Sequence, residues 1–239
     1  HDSEFMGPFG KKRMIYADYV ASGRALWQIE SFVLAELLPI YANSHTEASH
    51  LGSMMTRLRR QARNVIRDQL NATKDHAVIF TGSGATSGIN RLVHLFSVPE
   101  MIEQGKSPVV LVGPYEHHSN ILPWRESGAE VIEIPEAESG GPCLISLRST
   151  LGSIKGRPII GSFSAASNVT GILSNVIEVT RALKAAGAAV VWDYAGGAPY
   201  LKVDLCPAKD AMIDAVVLSP HKFVGGPQAT GLLVLRNDA

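Results

Sequence analysis

From residue 76 onward the chain alternates between short apolar, β-branched runs and stretches whose apolar residues recur at helical spacing. The runs fall at His76–Phe80, Pro108–Val112, Glu130–Ile134, Arg157–Phe163, Ala189–Trp192, Ala215–Leu218 and Leu232–Leu235. Most are continuous rather than alternating, as expected of strands covered on both faces. Between them, Asn175–Ala186 carries a helical pattern stopped by Gly187, and Ile89, Leu92, Val93 and Phe96 mark one face of another helix. The pattern predicts an α/β fold, a mostly parallel seven-stranded sheet with helices on both faces. Before residue 76, Ser22-Gly23 predicts a turn, Trp27–Leu38 a helix closed by Pro39, and YANSHTEASH (residues 41–50) a polar loop. A longer helix is expected over Ser53–Leu70. Met55, Leu58, Ala62, Val65, Ile66 and Leu70 share one face, and Arg57, Arg59, Arg60, Arg63 and Arg67 are expected on a solvated one. Residues 6–75 are thus expected as a helical N-terminal segment and 76–239 as a large domain, with His1–Phe5 set aside as an expression remnant.

Composition narrows the partners. The chain has 239 residues, 46% of them hydrophobic, enough for a sizeable core. Its 22 Lys and Arg balance 22 Asp and Glu, so no global field favours nucleic acid or an anionic membrane. A small molecule or a protein is the expected partner. No apolar run approaches the roughly 20 residues of a membrane span. Two cysteines, Cys143 and Cys206, are too few for a disulfide framework and lack metal-ligand spacing, which fits the cytoplasm or another reducing compartment.

The candidate chemistry lies where strands end, the place an α/β sheet offers a ligand. The strand Ala215–Leu218 hands over to SPHKFVGGP, putting Lys222 between a strand end and the apolar Phe223 and Val224. A partly desolvated amine there suits Schiff-base chemistry. The first strand runs into TGSGATSGIN (residues 81–90), where small residues open a helix whose N–H groups, together with the hydroxyls of Ser83, Thr86 and Ser87, make a candidate phosphate cradle, a plain glycine-rich turn being the alternative. Its glycines at 82, 84 and 88 do not give the dinucleotide fingerprint, and the P-loop GK[ST] ending is missing. The second strand leads to Glu116, His117 and His118, the fourth to Asn168, and the fifth to Asp193. The histidine pair lacks the further ligands a zinc site needs. A carboxylate directly after an apolar strand is costly unless something positive meets it.

In their order and spacing, the motifs GATSGIN, YEHHSNILPW, SNVTG, WDYAGGAPYLKVD and SPHKFVGGP resemble fold-type I enzymes dependent on pyridoxal 5'-phosphate, of the class V aminotransferase family and most closely its cysteine desulfurase branch. The resemblance extends from about Tyr16 to the end. It implies that Lys222 is the Schiff-base lysine and proton carrier. Asp193 would face the pyridine nitrogen, His117 stack on the ring, and Asn168 lie near the ring hydroxyl. Ala85, Thr86, Ser219 and His221 would serve the phosphate. Gln228 or Thr230 would reach the phosphate of a partner subunit, implying a homodimer with shared sites, and His45 lies in a segment near the site's mouth. An amino acid is the implied substrate.

Two departures from the family pattern stand out. Gly196 occupies a position that is usually glutamine, and the sequence stops without the family's C-terminal small domain. That absence leaves a non-catalytic binding or scaffold role as the alternative, while a nicotinamide enzyme is disfavoured by the glycine spacing.

Overall fold

The computed structural model describes residues 3–239; His1 and Asp2 lie outside the described residues. Glu4 and Phe5, set aside at the sequence level, pair in a hairpin of β1 (Glu4–Gly7) and β2 (Gly10–Arg13). Helix α1 (Trp27–Phe32) continues into a π-helical turn, Val33–Leu37, and a 3-10 turn, Leu38–Ile40. One helix was expected there, and Pro39 instead tightens its last turn, since proline cannot donate to a continuing α-helical ladder. Helix α2 (His50–Gln69) starts three residues before the expected Ser53, because Ser49 Oγ accepts from Gly52 N at 3.0 Å and so fixes the N-cap.

The main sheet contains β3 (His76–Gly82), β4 (Val109–Val112), β5 (Glu130–Glu133), β6 (Ile159–Ser164), β7 (Ala189–Asp193), β8 (Ala215–Leu218) and β9 (Gly231–Arg236). Its order is β3-β9-β8-β7-β6-β4-β5. Neighbours from β8 to β5 run parallel, and β9 alone is reversed, antiparallel to both β3 and β8. The connections are α3 (Gly84–Leu95), α4 (Val98–Glu103), α5 (Leu122–Glu126), α6 (Leu144–Ser153) and α7 (Val176–Ala185).

Alternation along the strands divides the core. Leu111, Phe163, Trp192 and Val216 face one side with Leu147 of α6 and Leu183 of α7. Val110, Val191, Val217 and Leu233 face the other with Ile89 and Leu92 of α3 and Trp124 of α5. Burying each such side chain contributes about 1.5–3 kcal/mol, so both faces hold the sheet. The arginines of α2 are not simply solvated: Arg63 Nε donates to Val78 O at 3.0 Å, and Arg59 and Arg63 lie 5.6 and 4.9 Å from the Phe80 ring centroid, covering the β3 edge. Near the start of β8, buried Asp214 meets Lys184 Nζ at 2.8 Å, Arg236 at 3.3 Å and Val190 N at 2.8 Å, which ties β7, β8, β9 and α7 together.

Candidate active site

The parallel strands β6, β7 and β8 end on the same side, and the N-terminus of α3 meets them there. A cavity of about 490 Å³ opens at this junction. Ser83, Gly84, Ala85, Thr86, His117, Asn168, Asp193, Ser219, His221 and Lys222 line it. It therefore gathers Lys222, His117, Asp193, Asn168, Ala85, Thr86, Ser219 and His221 of the expected site residues, and leaves out Ser87.

Gln228 is exposed and lies outside it, and so does Thr230. Its Oγ1 accepts from Gly82 N at 3.0 Å on the exposed side of the loop, outside the cavity. His45 and His118 are exposed and do not line the cavity either.

Lys222 is half-buried in a 3-10 turn, Pro220–Lys222, that follows β8. Its own N–H donates to Ser219 O at 2.9 Å, so the turn fixes the lysine backbone. Ser219 Oγ accepts from Ala85 N at 2.9 Å, tying the lysine segment to the first turn of α3. The expected separate roles of Ala85 and Ser219 are thus, in part, an interaction with each other. Gly84 permits this close approach. Its φ is +62°, and a Cβ there would lie 2.9 Å from His221 Cε1 and 3.0 Å from Ser219 Oγ. Ser83 gives α3 no side-chain cap, and among the described residues the N–H groups of Gly84 and Thr86 meet no acceptor. Such an uncapped start is an anion site in waiting.

Asp193 is buried, and its Oδ1 accepts from Ala195 N at 2.7 Å. Burial pushes its carboxyl up; the Ala195 hydrogen bond and the charges of Lys222 and His117 pull the other way. His221 is pushed down by burial and by Lys222 beside it. His117 stands at the exposed rim with Nδ1 2.8 Å from Ser119 Oγ. Gly196 leaves space, since a Cβ there would meet nothing closer than Asn168 Cβ at 3.7 Å.

Sequence reasoning missed two parts of this site. Asp18, Val20 and Ala21 form a wall, held because Gly23 N donates to His221 O at 3.0 Å and Gly225 N to Arg24 O at 2.7 Å. Ser164, at the end of β6, lines the cavity and hydrogen-bonds Glu116 through both its N–H and its hydroxyl. The signal for Ser164 was a polar residue ending an apolar strand. Nothing local marked residues 18–21. Among the described residues no helix is long and apolar enough to cross a membrane, and no group of three His, Cys, Asp or Glu could hold a metal ion.

Against known proteins, residues 15–239 match the family model described as Aminotransferase class-V. A probable cysteine desulfurase of Pyrococcus abyssi is 28% identical over 234 residues, 95% of this chain and 54% of that protein. One from Halalkalibacterium halodurans is 29% identical over 196 residues, 80% of this chain and 46% of that protein. The chain thus spans about half the length of these curated relatives. The solved structure of a NifS-like protein from Rickettsia africae superposes with a TM-score of 0.79 at 21% identity, covering 95% of this chain and 59% of that one, a likeness of fold. With the family model covering nearly the whole length, this chain belongs to the aminotransferase class-V family.

Proposed function

We propose that the cavity binds pyridoxal 5'-phosphate and that the whole protein acts on an amino acid, with cysteine the foremost candidate because the relatives above are named cysteine desulfurases. Residues 76–239 are then the cofactor-binding large domain. The observation that carries this reading is the convergence of an amine, a buried carboxyl, a rim imidazole and an uncapped helix start on one cavity.

The residues suit the group. The free N–H groups of Gly84 and Thr86, with the Thr86 hydroxyl and His221, would hold the phosphate. Asp193 would hold a proton at the pyridine nitrogen; its burial already favours keeping a proton in that part of the site. His117 would cover one face of the ring, and Asn168 would donate toward its hydroxyl. When bound, the cofactor supplies a sink for the electrons left at the amino acid's Cα. Lys222 is the tether and the base that moves protons at that carbon. Thr230, exposed beside Gly82, or the neighbouring Gln228 would serve a second copy's phosphate in a homodimer.

The test is the visible spectrum of the purified protein with added pyridoxal phosphate, before and after borohydride, beside Lys222→Ala. A new visible band is expected, bleached by borohydride to leave a mass adduct on the Lys222 peptide and absent from the variant. A folded wild-type protein giving neither band nor adduct overturns the proposal.

A further inference from the structure

We propose that Glu116 is a positioning residue of this site: its ionised carboxylate clamps the segment carrying His117 to the end of β6, next to Asp193. The proposal concerns the chain's own geometry, and its consequence for ligand binding rests on the reading of the cavity given above.

Glu116 accepts four hydrogen bonds from three stretches of chain. Oε1 takes Gly113 N at 3.2 Å and Ser164 N at 2.7 Å; Oε2 takes Asn120 Nδ2 at 2.6 Å and Ser164 Oγ at 2.6 Å. Gly113 follows β4, Ser164 ends β6, and Asn120 sits three residues beyond His117. Ser164 is also the register partner of Asp193 across β6 and β7. One carboxyl therefore joins the His117 loop to the strand pair that carries Asp193.

The orientation of Asn120 is fixed independently. Its Oδ1 accepts from Trp124 Nε1 at 3.2 Å and from Ser162 Oγ at 2.6 Å, and an indole N–H can only donate, so Nδ2 must face Glu116. Two backbone N–H groups and an amide NH2 cannot accept a proton's hydrogen bond. A protonated Glu116 would find one protein acceptor, Ser164 Oγ, and only if that hydroxyl gave up its own donation. The donor set is built for the carboxylate.

The opposing influences are burial and the charge of Asp193, which raise Glu116 from 4.5 to about 7, against the donors from Ser164 and Asn120. Asp193 in turn faces Lys222 and His117 from the cavity side. Burial thus works against the ionised form while the donors hold it, and above neutral pH the carboxylate is the form they meet.

The experiment compares wild type with Glu116→Gln and Ser164→Ala. Gln at 116 keeps the shape but sets an NH2 against Asn120 Nδ2, two donors facing, and carries no charge. In cofactor-free protein, the Ser164 amide proton shift should titrate with a midpoint near 7 in wild type and stay flat in Glu116→Gln. Hydrogen-exchange protection of Asn120 and Ser164 at pH 8.5, where the carboxylate is ionised, should be about tenfold lower in Glu116→Gln than in wild type, after correction for intrinsic rate. Ser164→Ala should lie between the two. Pyridoxal phosphate affinity at the same pH should fall in the same order.

A Ser164 shift without a midpoint in the range from pH 5.5 to 8.5, or protection in Glu116→Gln that equals wild type at high pH, overturns the clamp. If wild type binds no pyridoxal phosphate, the functional reading fails while the shift and protection still decide on Glu116.

Discussion

The wall formed by Asp18, Val20 and Ala21 depends on a glycine that tolerates no side chain. A Cβ at Gly23 would lie 1.8 Å from Phe223 O, 2.6 Å from Phe223 C and 3.0 Å from Lys222 O, all backbone atoms that cannot swing aside. Carbon approaches a carbonyl oxygen no closer than roughly 3.3 Å even in favourable contacts, so Gly23→Ala must part the two segments by about 1.5 Å. At that separation the hydrogen bonds from Gly23 N to His221 O and from Gly225 N to Arg24 O are both lost. Each contributes about 0.5–1.5 kcal/mol net, so docking of the 18–26 segment weakens by about 1–3 kcal/mol. Because that segment lines the cavity, pyridoxal phosphate affinity should fall about 5- to 150-fold, at 1.4 kcal/mol per tenfold. Absorbance titration measures the affinity, and trypsin cleavage after Arg24 reports undocking. Gly152→Ala, on α6 where a new Cβ meets nothing within 4 Å, is the control and should be neutral or slightly stabilising. Wild-type affinity together with wild-type resistance at Arg24 in Gly23→Ala would refute the reasoning.

Glu116 makes stability depend on pH. Its folded value, about 7, lies above the ordinary 4.5, so between these the native state binds more proton than the unfolded one and stability falls as pH rises, levelling off above 7. The full effect is about 3 kcal/mol, from 1.36 kcal/mol per unit. Urea denaturation from pH 4 to 8 should show that slope in wild type and lose it in Glu116→Gln; parallel curves would exclude it. Gly196→Gln should fold with unchanged urea midpoint, because a Cβ there makes only ordinary contact at 3.7 Å, and should shift the visible band of the bound cofactor. A collapsed midpoint or an unmoved band would count against the open space read there.

The sheet was legible because both of its faces are covered. Val109 to Val112 are all buried, so the run is apolar throughout, and the same holds for Val190 to Trp192 and Ala215 to Leu218. The reversed direction of β9 was not legible, since an apolar run carries no arrow and only its pairing with β3 and β8 sets it. The candidate site residues announced themselves by lying at strand ends, Asp193 as the last residue of β7 and Lys222 just after β8. Asp18 to Ala21 did not, because they reach the cavity through backbone hydrogen bonds to a segment about 200 residues away, which no local pattern encodes. The hairpin of β1 and β2 was overlooked for a related reason: its polar Gly10–Arg13 strand, exposed on every residue, has no apolar alternation to reveal it.

Three carboxyls, two buried and one, that of Glu116, half-buried, separate support from chemistry by what surrounds them. Asp214 meets two cations and a backbone N–H. Glu116 meets four neutral donors. Among the described residues the Asp193 side chain has one hydrogen bond, from Ala195 N, and feels Lys222 and His117 only through space. A buried carboxyl with so little around it is held at a cost, and apolar replacement of buried charge is often neutral or stabilising. Its presence at the cavity wall is accounted for by a partner that enters the cavity. The same substitution should then act with opposite sign at two sites. Asp193→Asn keeps an acceptor for Ala195 N and removes a charge that burial disfavours. In cofactor-free protein the variant should be more stable than wild type at pH 8, where wild-type Asp193 is more ionised, and equal to it at acid pH, where the raised carboxyl is already protonated. Asp214→Asn leaves Lys184 and Arg236 without their shared anion and should cost about 3 kcal/mol at pH 8. Urea denaturation of the two variants at both pH values decides the matter: if Asp193→Asn is destabilised at pH 8 as Asp214→Asn is, then Asp193 is a strut of the fold, and the chemistry assigned to it must be sought elsewhere in the cavity.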